Sequence, residues 1–323
     1  MTKHRALLLA GAAAAAFSAT MAQAQDKKPV VGIIGANYAI EAARAQYESI
    51  AAGLKARGIE YKFLDAQLDI NKQVAHIDQF VDEGVAAIAM DIAGDPNAVL
   101  GPLQRADAAG VKIFSIGGTP GFDKTLVQVN MPSSELGVKS GEYLCKVTEG
   151  KGEVALIEAI DIPVLAPRWN GLKETIAAKC PDLKIVAVER AIPDDAATGR
   201  PIAENLLTRF PDLKAIWAMN DGIAMGTGLA VKSAGSDVIV TGLNGENQGI
   251  DGIKQGVVTA TWDMMPTDGG MTLANRIADI LEGKTPAPTT TEVIQIKDVA
   301  EWTKENVADW KPYDQRVTYP GIQ

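Results

Sequence analysis

Residues 30–58 read VVGIIGANYAIEAARAQYESIAAGLKARG. An unbroken apolar run, 30–36, ends in a polar turn at Asn37 and Tyr38. The segment 40–57 then repeats apolar residues at helical spacing, through Ala43, Tyr47, Ile50, Ala51 and Leu54. Gly58 follows, the residue that most easily takes the left-handed conformation closing a helix. The unit is therefore a buried strand, a short turn, an amphipathic helix and a glycine stop.

The unit recurs outward from there. Further strands are predicted at 60–66, 85–92, 111–118 and 126–131, with helices over 71–83 and 95–109 between them. Asp95-Pro96 starts the second of these helices as cap and first helical residue. The rhythm restarts with a helix at 133–148 and strands at 153–160, 183–191, 215–221, 238–245, 257–263 and 292–296. Helices at 167–179, 198–210, 222–233, 246–255 and 267–281 separate them. Strands alternating with helices of 10–15 residues imply doubly wound parallel sheets. The strands are too many for one open sheet of ordinary size, so two α/β lobes are expected. No low-complexity linker divides them, which fits a chain that passes between lobes more than once.

Composition excludes more than it identifies. The 323 residues carry 31 Lys+Arg against 40 Asp+Glu, a formal charge of −9, with 47% hydrophobic and 5% aromatic residues. An acidic chain has no electrostatic reason to bind nucleic acid, and no such partner is expected. Two His and two Cys cannot furnish an ordinary zinc site or a Ser-His triad with a clear partner. His76 lies within a helical pattern and reads as a packing or surface residue. No GxxxxGK[ST] loop or complete GxGxxG fingerprint is present. No catalytic residue, metal or cofactor is therefore predicted. A carboxylate pair of the glycosidase kind stays open by counting alone.

Residues 1–24 read as a secretory signal peptide. Lys3, His4 and Arg5 precede an apolar stretch of about twelve residues, too short for a bilayer-spanning helix of ~20 residues. Ala22-Gln23-Ala24 offers the small residues a signal peptidase reads, so cleavage after Ala24 is expected. Loss of Lys3 and Arg5 takes the charge to −11. In an oxidising compartment Cys145 and Cys180 can pair across about 35 residues or stay as separate buried thiols, and the sequence leaves both open.

Short polar or glycine-rich clusters end the predicted strands of both halves. They lie at 35–38, 91–96, 117–119, 160–163, 193–195, 220–222 and 242–245. Ligands of open α/β sheets bind outside the carboxyl ends of strands. Turn chemistry alone explains any single cluster. Their recurrence on the same edge of both halves points to a cleft between two lobes.

At this point the chain resembles the type I periplasmic binding proteins of ABC transporters, in the ribose/galactose-binding group. The likeness runs from about Pro29 to Val307. It is carried by VVGIIGANY (30–38), VAAIAMDIAGDPNAV (85–99), AAGVKIFSIGG (108–118), the Arg168-to-Gly171 spacing, AIWAMNDGIAMGTGLAVKSAG (215–235), VIVTGLNGENQGIDGIKQGVVTATWDMMP (238–266) and WTKENV (302–307). LacI-type repressors share this core but begin with a DNA-binding segment, where this chain has its signal.

The resemblance implies two lobes joined by three hinge strands, crossing near 130–132, 263–266 and 289–292. One lobe would comprise 25–130 plus 264–290, the other 131–263 plus 291–323. It implies a periplasmic, monomeric, non-enzymatic receptor that closes on a small solute and delivers it to a permease and ATPase, with a chemoreceptor or sensor as a further partner. The readings set beside it are an exported hydrolase or lyase on the same scaffold, and a receptor used for sensing only.

Carried over position by position, the resemblance puts Asn37 and Tyr38 in the first-strand loop, with the Tyr38 ring against the solute. Asp91 ends the third strand facing the cleft. Asn220 would hydrogen-bond the solute, with Asp221 either beside it or capping the next helix. Asn244 stands where sugar binders have aspartate. Gly117-Gly118 replaces an Asp-Arg pair, Ala166 replaces an arginine, and Met264 stands near an expected glutamine. Arg168, Trp169 and Asp194 complete the expected lining. These departures favour a pocket with fewer charged hydrogen-bonding groups and more apolar surface, suited to a deoxy-sugar, a polyol, a cyclitol or a less polar solute. In the alternative, Asp161, Asp194 and Glu246 supply the missing contacts.

Overall fold

A computed structural model describes residues 28–159 and 165–317. The signal segment and the cluster at 160–163, with Asp161, lie outside the described residues.

The opening stretch folds as its pattern dictates. Strand β1 is Val30–Gly35 and helix α1 is Glu41–Ala56. Then come β2 (Glu60–Asp65), α2 (Ile70–Asp82), β3 (Ala87–Met90), α3 (Leu100–Ala108), β4 (Lys112–Ile116) and β5 (Thr125–Asn130). The second half runs α4 (Ser133–Val147), β6 (Lys151–Glu158), α5 (Ala166–Lys179), β7 (Asp182–Arg190), α6 (Ala196–Arg209) and β8 (Leu213–Ala218). It continues with α7 (Asp221–Ser233), β9 (Ile239–Thr241), α8 (Asn247–Lys254) and β10 (Ala260–Asp263). Helix α9 (Pro266–Leu281) and strands β11 (Glu292–Gln295) and β12 (Ala300–Thr303) follow.

The strands form two six-stranded sheets, ordered β11-β5-β4-β3-β1-β2 and β12-β10-β9-β8-β6-β7. Every residue of β3 is buried, as is the run Val154–Glu158 of β6. Such continuous apolar strands need cover on both faces, and the helices provide it. Each sheet reverses its strand order once, between β1 and β3 in the first and between β6 and β8 in the second. Those two reversals are where doubly wound sheets open a crevice at their carboxyl edges.

Two expectations are corrected. β11 pairs in parallel with β5, Glu292 opposite Val127, so the third crossing follows Gln295 rather than falling at 289–292. Its four residues fit either sheet edge; descent from α9, which packs on α1 of the first lobe, selects β5. Second, the sheets are not wholly parallel. β12 runs antiparallel to β10, Trp302 opposite Thr261. AEWT is too short and too polar to announce itself as a strand.

Cys145 and Cys180 form a disulfide, with Cα atoms 5.7 Å apart. It ties the last turn of α4 to the end of α5 inside the second lobe.

Candidate functional site

The reversal points of the two sheets face each other across a cavity of about 120 Å3. A wider space of about 780 Å3 adjoins it on the hinge side, lined by Gln128, Asn130 and Gln295, and shares Ile92, Gly117, Met131 and Ser133 with it. The smaller cavity is the candidate site, because polar groups from both reversal points converge only there. It is small beside the roughly 300–1,000 Å3 of sites for drug-sized ligands.

The first-lobe wall is built on one stripe of α1: Ala42, Ala43, Gln46 and Tyr47. Residues one, four and five positions apart share a helix face, so the stripe follows from the helix itself. The Tyr47 hydroxyl donates to Asp91 Oδ2 at 3.0 Å and accepts from the Ala36 amide at 3.0 Å. Asp91 Oδ1 accepts from the amides of Ile92 and Gly118 at 2.8 and 3.1 Å. Burial pushes the Asp91 carboxyl up to about 6, against the opposing pull of those donors. Gly117 has φ +74°, and a Cβ there would lie 2.8 Å from Asp91 Oδ1. Only glycine meets both conditions, which gives the first glycine of the pair a physical reason.

The second-lobe wall centres on Arg168. Helices α4 and α5 approach so closely at Gly137 that a Cβ there would lie 1.9 Å from the Arg168 carbonyl. That contact sets the start of α5 and holds the buried guanidinium at the cavity. Nη1 donates to Asn244 Oδ1 at 2.9 Å and Nη2 lies 3.5 Å from Met264 Sδ, while Nε has no partner among the described residues. Burial lowers the guanidinium to about 10, opposed by Glu246 and Asp221. Asn220 caps α7 by accepting from the Ile223 amide at 2.8 Å, and its Nδ2 donates to the Asp194 carboxylate at 3.0 Å. Asp221 is therefore not the cap; it is fully buried and accepts from the Glu246 amide at 2.7 Å. Burial holds Asp221 well above the usual carboxylate range and pushes Glu246 up to about 7.

The lobes also bond directly at the cleft. Neither α1 nor α8 has a cap from its own N-cap side chain. Instead Glu246 accepts from the Ala42 amide at 3.0 Å, and Glu41 accepts from the Asn247 amide at 3.0 Å. Each helix start is thus satisfied by a carboxylate of the other lobe, where the helix dipole also favours a negative charge.

The tail 307–317 straps the second lobe. Tyr313 donates to the Asn244 carbonyl at 2.5 Å, and Trp310 Nε1 to the Gly245 carbonyl at 3.1 Å. Arg316 pairs with buried Asp263. These bonds hold Asn244, whose φ is +102°, in a conformation that non-glycine residues rarely adopt.

Of the residues singled out in the sequence, Asn37, Asp91, Gly117, Arg168, Asp194, Asn220, Asn244 and Met264 line the cavity. Three do not. Tyr38 turns outward, its hydroxyl donating to Glu48 at 2.6 Å and its ring 5.1 Å from that of Phe63. The ring lies over Phe63 at the surface and is not part of the cavity lining. Trp169, one position past Arg168 on α5, rotates into the hydrophobic core. Gly118 lines only the hinge-side space and contributes its amide to Asp91. Sequence reasoning missed Gln46, Tyr47, Met131 and Met219. The first two share one helix face, but the apolar periodicity of 40–57 assigns Tyr47 to the core. Glu246 is buried in the lobe-to-lobe contact rather than in the cavity lining. Among the described residues no group of His, Cys, Asp and Glu could hold a metal ion, and no helix is long and apolar enough to cross a membrane.

A family model described as periplasmic binding protein domain matches residues 31–285. The ribose import binding protein of Bacillus subtilis is 30% identical over 75% of this chain and 78% of its own length. The D-apiose import binding protein of Paraburkholderia graminis is 30% identical over 80% of this chain and 82% of its own. A crystal structure of an ABC transporter periplasmic solute binding protein from Actinobacillus succinogenes, with bound D-allose, superposes with a TM-score of 0.77. It covers 88% of this chain and 100% of the other at 23% identity, a likeness of fold.

Proposed function

We propose a function from one premise: the chain belongs to the periplasmic binding protein domain family. It is a solute-binding receptor of an ABC importer, taking a sugar, polyol or related small solute between its lobes. One observation carries this reading for the chain's own residues. The reversal points of both sheets meet at one small cavity, with Arg168, Asp194, Asn220 and Asn244 on one wall and Asn37, Gln46, Tyr47 and Asp91 on the other.

The lining suits a solute with both hydroxyl and C–H surface. Carboxamides offer donors and acceptors to hydroxyls. Met131, Met219, Met264, Leu165 and Ile40 offer apolar surface that adapts to its shape. This mixed lining supports the departure from a heavily charged pyranose site. Closure of the lobes around the solute would present one shape to a permease and its ATPase, as in hinge-closing receptors generally. A monomeric, exported protein without turnover, released by cleavage after Ala24, completes the reading, with a sensor as a further partner.

The test is a thermal-shift screen of the mature protein over pentoses, hexoses, deoxy-sugars, polyols and cyclitols, followed by calorimetry. A binder raises the melting temperature according to RT ln(1 + [L]/Kd). Stoichiometric binding with the solute recovered unchanged supports the receptor; recovery of a product would replace it with a hydrolase or lyase.

A further inference from the structure

Most polar groups around the cavity are already engaged. Tyr47 donates to Asp91 and accepts from Ala36, and both Asp91 oxygens accept from the protein. Asn220 and Asn244 have both ends of their carboxamides bonded. Gln46 differs. It is 2% exposed, lines the cavity, and its carboxamide has no hydrogen-bond partner among the described residues. Its backbone carbonyl lies against Gly270 of α9, where a Cβ would come within 2.3 Å of it. That contact fixes the rotation of α1 and keeps position 46 on the cavity stripe.

What exposure Gln46 keeps borders the cavity, so its carboxamide stays open to whatever occupies that space. On the opposite wall Arg168 Nε is buried and without a partner among the described residues, a costly state that native proteins keep rarely. Two residues with unused hydrogen-bonding capacity thus line one cavity from its two lobes, one able to donate and accept, the other able only to donate.

We propose that Gln46 is the side chain through which the first lobe recognises the solute, with Arg168 Nε facing it from the second. The inference rests on the receptor reading above and names the residue and the solute chemistry it selects. The solute presents an oxygen acceptor to Arg168 and a hydroxyl that both donates and accepts to Gln46. Asp91 and Asp194 on the same lining disfavour an anion, so the class is a neutral polyhydroxylated compound rather than a sugar acid or phosphate.

The experiment compares the mature wild-type protein with Gln46→Leu and the nearly isosteric Gln46→Met. The probes are D-ribose, D-apiose, D-allose and myo-inositol, with D-gluconate as the anionic control. Kd is measured by calorimetry, and the melting temperature of each ligand-free protein is recorded. For the neutral probe that binds wild type, both variants are expected to bind roughly 10- to 100-fold more weakly. Their ligand-free melting temperatures are expected to stay within about 2 °C of wild type, since the carboxamide makes no hydrogen bond within the protein among the described residues. A structural role for Gln46 would lower both together. A Kd within twofold of wild type, or a fall of more than about 5 °C in either folded variant, overturns the assignment while leaving the receptor reading intact. Preferred binding of gluconate overturns the solute class. Failure of every probe to bind wild type overturns the receptor reading for this class of compound, and this inference with it.

Discussion

The two cleft walls come from sheets of the same strand order, yet their chemistry differs. The first-lobe wall is a helix stripe of small and neutral residues, with one carboxylate, Asp91, whose acceptors are occupied by Tyr47 and two amides. The second-lobe wall is a buried charge network in which Arg168, Asn244, Glu246 and Asp221 succeed one another. Bracing differs as well: α4 and α5, which hold Arg168, are joined by the disulfide. A common fold therefore fixes where the walls stand but not how they interact with a solute. One wall is preorganised by packing, the other by electrostatics and a covalent tie.

The sharpest way to break the comparison is to remove the brace. Replacing Cys145 and Cys180 by Ser should remove about 4 kcal/mol in the chain-entropy picture, and native-state hydrogen exchange should show the loss in α4 and α5 and not in α1. Next in size is the charge at the centre of the second wall. Arg168→Ala removes the buried Nη1 bond to Asn244 and leaves a void at the wall, and should cost about 2–3 kcal/mol, read by urea unfolding. The corresponding change in the first wall, Asn37→Ala, should stay within about 0.5 kcal/mol, since Asn37 sits on a partly exposed loop. Equal costs would mean the walls are not differently built.

Protonation separates the walls further, with a definite sign. Asp91 at about 6 and Glu246 at about 7 both titrate above their ordinary values because they are buried. The folded state then holds a proton that the unfolded chain has released, so the penalty is complete above each folded pKa. It is relieved as pH falls from about 7 toward 4.5 for Glu246 and from about 6 toward 3.8 for Asp91. Stability should therefore rise on acidification over that window, by on the order of 1–3 kcal/mol for each group. Glu246→Gln should flatten the upper part of the profile and Asp91→Asn the lower part. Loss of both parts in either single variant would show that the walls titrate as one unit.

The smallest effect concerns the contact that joins the walls. Glu41→Gln weakens one of the exchanged helix caps and should speed solute release about fivefold in stopped flow, the equivalent of roughly 1 kcal/mol for a cap. Its association rate should not change, because the cap forms only once the lobes have met. A slower association with unchanged release would place the contact before closure instead.

The strand–helix alternation, the two lobes and most of the polar residues of the cavity were legible in the sequence. Clusters at strand ends could be recognised because doubly wound sheets place their crevices there whatever the side chains. What stayed hidden had specific causes. Asn220 and Asn244 reach the cavity, but their hydrogen bonds are made to α7, Asp194, Arg168 and Glu246, partners up to 76 residues away. Tyr38 and Tyr47 are nine positions apart on one loop and helix, and nothing local tells which ring faces inward. Phe63 on β2 packs against both rings; the hydroxyls part them, Tyr38 bonding Glu48 at the surface and Tyr47 bonding Asp91 at the end of β3.

The sequence by itself determined the elements, because apolar periodicity is a local property read every two or every 3.6 residues. It also determined the doubly wound class, because buried parallel strands need helices between them. Only the tertiary structure decided that β11 returns to the first sheet, that α1 and α8 cap one another across the lobes, and that Gln46 is left without a partner. Each of those depends on which distant groups meet when the lobes pack, and a hydrogen bond once formed there is no longer available to a solute.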